Sequence, residues 1–456
     1  MRTQLAIGAA KISGVLSRLR GGGATSLPGV VGLKIQPRLI SQLQRNLAGS
    51  IVVTGTNGKT TTSRFVGEIL GAADKPYIHN QSGSNLLRGI AAVLAQTSTK
   101  PRKGRRPWGL FEVDEATMPA ACRELAPKVV VVTNLFRDQL DRYGELQRTA
   151  DYLREAFASL PASTTILLNA DDPLVASLGK GLPQKVVYFG IEDTSVSKPG
   201  LPHAADSITT PTGKLLRYEA VFTGHLGHYR SPDRSLKRPK PTVAVTDVRL
   251  DGTAGSDLKI KLGRKSIKLR LSVPGVYNAY NAVAAAAVGH ALDVTPTKIA
   301  AAISQTAAAF GRAEHASVDG RTLFIGLIKN PTGANEMIHT LTLDAKPKDF
   351  LIAINDNFAD GTDVSWLWDA DFEQLLPITR RVAVAGTRAD DMALRLKYAG
   401  RPESDVAVYH SLTKALGESL AKLPDGGTLY VLPTYTAMLE LRRELANAGH
   451  LKHYLD

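Results

Sequence analysis

The sequence predicts an α/β protein with a mostly parallel sheet covered by helices, followed by a second α/β domain. Three observations support this prediction. A strand, Ile51–Thr54, runs into the glycine-bearing turn of GTNGKTTT, which opens a helix. Short apolar strands then alternate with helical stretches, a pattern typical of parallel sheets. The alternation begins again after Phe310, and at 456 residues the chain can hold two or three domains.

The composition is that of an ordinary globular protein, with 43% hydrophobic and 21% charged residues. A single cysteine, Cys122, excludes an internal disulfide and a cysteine-based zinc site, and it fits a reducing cytosol. Residues 1–20 are amphipathic but lack the apolar core of a signal peptide, and we expect no membrane-spanning run. The net charge of +14 would attract nucleic acid, an anionic substrate or an acidic membrane face, but no nucleic-acid motif accompanies it.

Residues 1–46 are predicted to be an N-terminal helical segment with a glycine-rich break at Gly21–Gly23. Its second helix should run from about Gln36 to Leu47. Residues 47–310 are predicted to form a central nucleotide-binding domain, which the alanine-rich helix Asn278–Leu292 completes. The predicted strands of this domain are Ile51–Thr54, Pro76–His79, Trp108–Val113, Val129–Thr133 and Thr165–Leu168.

Residues 196–270 interrupt the alternation of strands and helices, because they are polar and rich in Pro, Gly, Lys and Arg. We interpret them as an inserted β subdomain with strand-like pieces at 217–223, 243–250 and 258–261. Residues 311–456 are predicted to form a C-terminal Rossmann-like α/β domain. Its predicted elements are the strands Leu323–Gly326, Phe350–Ile354, Arg381–Ala385, Val406–Tyr409 and Leu429–Leu432 and the last helix Thr436–Ala448.

The turn after the first strand has the residues of a phosphate-binding loop. Its glycines let the backbone turn tightly, and the N–H groups at the helix start point at an anion. Lys59 would reach the β- and γ-phosphates and the Thr60 hydroxyl a Mg²⁺ ion, a pair that an ordinary strand–turn–helix would not need. Val53 stands where the full motif has its first glycine, so the loop is a shortened variant. The predicted ATP-binding residues here are Thr56, Asn57, Gly58, Lys59, Thr60 and Thr61.

Polar side chains follow the strands next to this loop. Glu112 ends the strand Trp108–Val113, where a carboxylate would meet a metal-bound triphosphate. Without the loop, Glu112 would be only a solvated strand end. The ends of the following strands predict one rim of the sheet that carries Asn134, Asp138, Gln139, Asp141, Asn169 and Asp171.

Together these motifs resemble the Mur ligase superfamily, ATP-dependent ligases that couple a carboxylate to an amine. GTNGKTTT, the stretch Asn80–Asn85, Glu112, the NADD sequence and Tyr277–Asn281 follow the order of that superfamily. The chain is most similar to the MurT branch, the ligase subunit of lipid II isoglutaminyl synthase. The sequences that carry this closer resemblance are TNLFRDQLDRYGE (133–145), HLGHY (225–229), INDNFADGTDVSW (354–366) and GTRADD (386–391).

The resemblance implies a mechanism and a set of residues. ATP phosphorylates a carboxylate, and a nitrogen nucleophile then displaces phosphate from the acyl phosphate. Asn278 matches an adenine-contacting asparagine, and Arg312 matches an arginine near the phosphates. Thr60 and Glu112 would hold one Mg²⁺. Gln139 stands where many members have a metal-binding histidine, which weakens the case for a second ion.

Three aspartates lie in a loop just after the strand Phe350–Ile354. The resemblance implies that one of Asp363, Asp356 and Asp360 is catalytic and orients or deprotonates ammonia, with Asp363 the first choice. The alternative is an acidic turn whose aspartates cap the next helix.

MurT proteins carry a four-cysteine zinc ribbon in the insertion. The matching positions here are Thr209, Thr212, Ser231 and Arg234, so we predict a metal-free ribbon remnant and no zinc. Its basic residues would form a solvated face or contact a pyrophosphate; they are Arg230, Arg234, Lys237, Arg238 and Lys240. Cys122 lies in a helical segment without the glycines of a nucleophile turn and is predicted to be core.

The resemblance therefore implies a ligase subunit that converts the α-carboxylate of D-glutamate in lipid II to D-isoglutamine with ATP and Mg²⁺. Ammonia would come from a partner glutaminase, GatD in that family. The reaction would take place in the cytoplasm, with the chain either free or peripheral at the inner membrane face. Two alternatives stay open. One is a Mur- or folylpolyglutamate-type ligase that adds an amino acid. The other is a P-loop nucleic-acid-binding ATPase, which would show strongly salt-dependent affinity for oligonucleotides.

Overall fold

The structure is a computed structural model that describes residues 1–19, 25–80, 84–98, 106–137, 146–201, 205–206, 208–210, 213–233, 235–306 and 312–451. Its helices are α1 (Arg2–Leu19), α2 (Leu27–Ile35), α3 (Leu39–Leu43), α4 (Lys59–Ala72), α5 (Leu87–Thr97), α6 (Met118–Leu125), α7 (Leu146–Ala158), α8 (Pro173–Ser177), α9 (Val276–Ala291), α10 (Pro296–Gln305), α11 (Pro331–Thr342), α12 (Ala389–Tyr398), α13 (Leu412–Ala421) and α14 (Tyr435–Asn447). None of the helices in these ranges is both long and apolar enough to cross a bilayer.

The strands form two large sheets and one hairpin. The strands up to the end of the first sheet are β1 (Gly49–Thr54), β2 (Tyr77–His79), β3 (Trp108–Glu112), β4 (Val129–Val132), β5 (Thr165–Asn169), β6 (Lys185–Ile191), β7 (Arg217–Thr223), β8 (Leu226–Arg230), β9 (Val243–Leu250), β10 (Ser256–Leu262) and β11 (Lys265–Leu271). The strands of the second sheet are β12 (Arg312–Val318), β13 (Arg321–Gly326), β14 (Lys348–Ala353), β15 (Thr379–Ala385), β16 (Val406–Val408) and β17 (Thr428–Pro433).

The first sheet has nine strands in the order β11-β10-β9-β6-β5-β4-β1-β3-β2. Its central strands are parallel, and the side chains of Ile51–Val53 and Val130–Val132 are fully buried. Helices cover both faces of the sheet. Because these strands are buried on both sides, their sequences are continuous runs of apolar residues. The alanine-rich α9 packs across one face beside α4, since its small side chains allow close approach. This sheet therefore holds β1, β3 and β4 side by side with their carboxyl ends together.

The stretch expected to be a separate insertion is divided in the structure. Only β7 and β8 form a sheet of their own, whereas β9, β10 and β11 extend the first sheet. β9 pairs in parallel with β6, with Phe189 opposite Val243. Alternate residues of β10, such as Ile260 and Leu262, join the core of the first sheet. Burial of that apolar face against the core favours extension of the sheet over a free-standing subdomain.

The second sheet has six strands in the order β12-β13-β17-β14-β15-β16. β12, which the sequence did not predict, pairs antiparallel with β13, and the other strands are parallel. Parallel order sets the carboxyl ends of β13, β17, β14 and β15 along one edge. The aspartate loop follows β14 at that edge, which is where open α/β sheets bind ligands.

Candidate active site

The sequence GTNGKTTT forms a strand, a turn and a helix, as predicted. β1 ends at Thr54, and α4 begins at Lys59. Lys59 Nζ donates to the Gly55 carbonyl at 2.5 Å and lies 3.3 Å from Glu115 Oε2. The ammonium is therefore folded over the loop and held by a carboxylate that is almost buried. Incoming phosphate oxygens would compete with Glu115 for this charge.

Two glycines of the loop are fixed by their neighbours as well as by their backbone angles. Gly55 has φ +123° and Gly58 has φ +86°, both in the left-handed region. A Cβ atom at Gly58 would lie 2.0 Å from Asn281 Oδ1, and one at Gly55 would lie 2.3 Å from Thr133 Oγ1. The loop is thus held between the start of α9 and the end of β4, where no side chain fits.

The segment after β4 holds the phosphate-binding loop in place through hydrogen bonds. Asn134 Oδ1 accepts the Asn57 N–H at 2.9 Å, and Thr133 Oγ1 donates to the Asn57 carbonyl at 2.7 Å. Thr56 Oγ1 accepts the Phe136 N–H at 3.0 Å. Asn134 lies at the strand end, as predicted, but its amide positions the loop. Asp138, Gln139 and Asp141 of the same predicted rim lie outside the described residues.

A hydroxyl and a carboxylate meet at the start of α4. Thr60 Oγ1 donates to Glu112 Oε1 at 2.9 Å, and the Glu112 N–H is accepted by Asn80 Oδ1 at 2.9 Å. A hydroxyl and a carboxylate are oxygen donors of the kind that Mg²⁺ takes beside phosphate oxygens and water. The residues therefore fit a Mg²⁺ ion bound together with a nucleotide. Within the described ranges there is no group of three His, Cys, Asp or Glu residues that could hold a metal alone.

Asn278 lies near the loop, but its amide is used inside the protein. It is buried, with Nδ2 donating to the Pro274 carbonyl at 2.7 Å and Oδ1 accepting from Asn281 Nδ2 at 3.0 Å. The contact between Asn278 and adenine stays a prediction. Thr61 is buried in the first turn of α4. The side chain of Arg312 lies outside the described part of the structure.

The three aspartates after β14 are held in different ways. Asp360 is buried and accepts the backbone N–H and the hydroxyl of Thr436, at 2.7 and 2.5 Å, at the start of α14. Burial raises its pKa. Asp356 accepts the Thr387 hydroxyl at 2.8 Å and lies 3.3 Å from the Arg388 guanidinium.

Asp363 is exposed, and its Oδ1 accepts the Ser365 N–H at 2.8 Å. The Ser365 hydrogen bonds hold the pKa of this carboxyl below its usual range. Asp363 therefore makes a capping contact of the kind that the alternative interpretation expected, because Ser365 begins the short 3-10 helix that follows the loop. Asp360 instead binds the start of α14, which lies much further along the chain.

Contacts join the second sheet to the phosphate-binding loop. Asn330 follows β13 and caps α11 through Oδ1, which accepts the Gly333 N–H at 2.8 Å. Its Nδ2 donates to Asn57 Oδ1 at 3.2 Å. Nearby, Lys198 forms an ion pair with Glu336, which is buried in α11. The edge of the second sheet thus faces the loop directly.

Two family models match this chain, and curated relatives are similar to it over nearly its whole length. The Mur ligase middle domain matches residues 53–223, and the MurT ligase C-terminal model matches residues 327–438. The lipid II isoglutaminyl synthase (glutamine-hydrolyzing) subunit MurT of Streptococcus pneumoniae (strain ATCC BAA-255 / R6) is 33% identical over 436 residues, 95% of this chain and 94% of the relative. The protein of the same name from Staphylococcus aureus (strain COL) is 30% identical over 446 residues, 98% of each chain. The chain belongs to the MurT family of Mur ligases.

Solved Mur ligases share the fold of this MurT-family chain. A pseudomurein peptide ligase type C from Methanothermus fervidus has a TM-score of 0.66 at 22% identity, covering 88% of this chain and 79% of that one. A MurF ligase from Thermotoga maritima, solved in complex with ADP, has a TM-score of 0.62 at 14% identity, covering 92% and 85%. The predicted Mur-ligase α/β fold and the prediction of a ligase are confirmed.

Two predicted rim residues of this MurT-family chain are structural. Asn169 and Asp171 are fully buried. Asp171 accepts from the Ile191 N–H, the Tyr280 hydroxyl and the Arg238 guanidinium, at 2.8, 2.7 and 2.5 Å. Arg238 was expected on a solvated or pyrophosphate-binding face, but it also pairs with Glu192 at 2.6 Å. This buried charge cluster ties the hairpin to the first sheet and α9.

The ribbon remnant keeps two turns without thiols. Ser231 is buried, donates to Asp233 Oδ1 at 2.7 Å and accepts the Leu236 N–H at 3.0 Å. Lys214, in the turn after Thr209, forms an ion pair with Asp233 at 2.8 Å. These bonds link the two turns that contain the positions predicted to match a zinc ribbon. Thr212 and Arg234 lie outside the described residues.

Three residues of the site were not found from the sequence. Glu115 pairs with Lys59, Asn281 approaches Gly58, and Asn330 reaches Asn57. Glu115 lies three positions after Glu112, which is a local signal that could have been used. The approach of Asn281 and Asn330 depends on tertiary packing. Cys122, predicted to be core, is buried, and burial raises the pKa of its thiol to about 12.

Proposed function

We propose that this chain is the synthetase subunit that amidates the α-carboxylate of D-glutamate in the lipid II stem peptide, giving D-isoglutamine. The observation that carries the proposal is the contact between the phosphate-binding loop and the edge of the MurT-type sheet through Asn57 and Asn330. Asn330 follows β13, at the edge of the second sheet from which the aspartate segment also extends, and this supports a site shared by the loop and that segment. The two MurT relatives are named lipid II isoglutaminyl synthase subunits, which supports lipid II as the substrate.

The proposed reaction has two steps. A carboxylate oxygen of the substrate attacks the γ-phosphorus of ATP, the bond to the β-phosphate oxygen breaks, and ADP leaves. The nitrogen of ammonia then attacks the carbonyl carbon of the acyl phosphate, phosphate leaves with the bonding electron pair, and the nitrogen loses a proton. The first step needs charge neutralised on the transferred phosphoryl group and little covalent help from the protein.

The residues of the loop suit the first step. The backbone of Thr56–Thr61 would cradle the phosphates at the start of α4, and Lys59 would leave Glu115 for the β/γ-phosphates. Thr60 and Glu112 would hold Mg²⁺, which supplies positive charge beside the phosphates when bound. Asn278 and Arg312 remain the proposed adenine and phosphate contacts. A MurF ligase of the same fold was solved with ADP, which supports an adenine nucleotide.

Asp363 is the proposed catalytic aspartate, with Asp356 and Asp360 as the other candidates. Its pKa is lowered, so it stays ionised at neutral pH and is a weak base. Such a carboxylate suits orientation of the nitrogen nucleophile better than abstraction of its proton. Asp360 is already committed to the start of α14 through two bonds to Thr436.

The nitrogen would come from a GatD-type glutaminase partner. The relatives are named subunits of a glutamine-hydrolyzing enzyme, which supports a partner chain. A glutaminase needs an activated thiolate. The buried Cys122, with its pKa raised to about 12, does not supply one. We place the reaction in the cytoplasm at the inner membrane face, without nucleic acid.

An amidation assay tests the proposal. The purified chain, ATP and Mg²⁺ are incubated with lipid II in detergent and either ammonium chloride or glutamine, and the product is read by mass. Product with ammonium alone, and with glutamine only after the partner is added, is the expected result. Lys59→Ala should lower the rate about 100-fold or more. No amide with ammonium, but ATP turnover with an amino acid, would favour the amino-acid ligase instead.

A further inference from the structure

Helix α1 has a second apolar face in addition to the one it buries. Its small residues Ala6, Ala10 and Gly14 are buried where α1 packs on α2 and α5. On the opposite side lie large aliphatic side chains that are between 50% and 78% exposed. These are Leu5, Ile12, Val15, Leu16 and Leu19.

These five residues form one continuous stripe. Their spacing along α1 places them on a face about 100° wide, opposite the buried small residues. Single exposed aliphatic residues are ordinary on a protein surface, but a contiguous stripe marks an interaction site. The outer face of a helix that packs on a domain is normally polar. The stripe is therefore a surface that binds something apolar.

The charge around the stripe has one sign. The first 67 residues contain nine Lys and Arg and no Asp or Glu, and the first acidic residue is Glu68. Lys11 and Arg18 lie along one border of the stripe, with Lys11 Nζ donating to the Ser98 carbonyl at 2.6 Å. Arg2 is on the other border. An aliphatic stripe flanked by cations is typical of helices that lie in the interface of an anionic bilayer.

We propose that the outer face of α1 binds the surface of an anionic phospholipid bilayer. Ile12, Leu16 and Leu19 enter the acyl-chain boundary, and the positive charges of Lys11 and Arg18 at its border attract the headgroup phosphates. A second copy of the chain is a poorer occupant, because it would bring its own unbalanced cations against these. The use of this surface rests on the proposed function, since lipid II is held in a membrane, whereas the binding can be measured without substrate.

Co-sedimentation of the full chain with vesicles tests the proposal. Vesicles of phosphatidylglycerol and phosphatidylcholine are compared with vesicles of phosphatidylcholine alone, at low and high NaCl. The variant Ile12→Gln/Leu16→Gln/Leu19→Gln removes the stripe without a change of charge. The matched control Leu343→Gln/Leu394→Gln/Val408→Gln removes three other exposed aliphatic side chains, between 42% and 45% exposed.

The native chain and the control should bind the anionic vesicles, and the stripe variant should bind about tenfold more weakly. Binding should fall with salt and be weak on neutral vesicles. A native chain that stays in the supernatant, or a stripe variant that binds equally well, would overturn the proposal. So would a dimer of the native chain that the stripe variant converts to monomer. The same variants are assayed for amidation with lipid II in detergent, where no bilayer is present and the stripe is not needed. A failure of the proposed amidation is thereby distinguished from a failure of membrane binding.

Discussion

Asp363 differs from Asp356 and Asp360 in how its carboxylate is held. The other two are tied to Arg388 and Thr436, whereas Asp363 is exposed and accepts a backbone N–H from Ser365. A lowered pKa keeps Asp363 ionised through neutral pH. It is thus available to orient a nitrogen nucleophile while it caps its own turn.

Asp363→Asn should leave ATP binding unchanged and lower amide formation with ammonium about 100-fold or more, because the charge that orients the nucleophile is removed. ATP affinity by calorimetry and amide by mass separate the two effects. Asp425→Asn is the matched control, because its side chain is 98% exposed in the same sheet domain. Unchanged amidation in Asp363→Asn would transfer the role to Asp356 or Asp360.

The pH profile gives a second check on this residue. An aspartate with a lowered pKa loses its charge only below the ordinary range of an aspartate. Protonation of Asp363 should therefore not lower the amidation rate over the pH range of the assay. A base with a pKa near neutrality would instead give a rate that falls between pH 7 and pH 5.

At the level of elements, hydrogen bonds of Ser231 hold the turn after β8. Ser231 is buried and joins Asp233 to the Leu236 N–H. Ser231→Ala leaves the partly buried Leu236 N–H without this acceptor and should lower the free energy of unfolding by about 1 kcal/mol. Denaturant unfolding measures the change. Ser235→Ala, an exposed hydroxyl of the same turn, should have a smaller effect, and equal effects would argue against the network.

The sequence predicted the elements whose signal is local. β1, β4 and β5 were found because each is a nearly continuous apolar run. Each run is followed along the chain by a stretch whose apolar residues have helical spacing. β12, with the sequence RAEHASV, has no such run, and only its pairing with β13 makes it a strand. The pairing of β9 with β6 likewise depends on tertiary structure, so the stretch from residue 243 to residue 270 was assigned to a separate insertion.

The same distinction holds at the candidate site. The loop GTNGKTTT and Glu112 were found because the motif and the strand end carry their chemistry locally. Asp171 was misread as a rim residue, because its partners Arg238 and Tyr280 come from distant segments. The hydrogen bond from Asn330 to Asn57 spans 273 positions, and no local pattern indicates it.

For the whole molecule, the relative position of the two large sheets would decide, in the proposed reaction, whether a phosphorylated carboxylate meets the aspartate segment. Asn330 connects the two parts of the molecule. Its Oδ1 caps α11, and its Nδ2 donates to Asn57 in the phosphate-binding loop. Asn330→Asp keeps an oxygen that can accept the Gly333 N–H. It replaces the donor to Asn57 with a second oxygen, so it removes the contact between the sheets and retains the cap.

Asn330→Asp should therefore unfold at about the same temperature as the native chain but amidate about tenfold more slowly, since a small misplacement of reacting groups is costly. Asn330→Ala loses the cap as well and should also be less stable, by about 1 kcal/mol. Thermal unfolding and the amidation rate with ammonium, measured on both variants, separate the two roles of the residue. Amidation at the native rate in Asn330→Asp would show that the contact does not set the approach of the two sheets. A similar loss of stability in both variants would show that the aspartate fails as a cap.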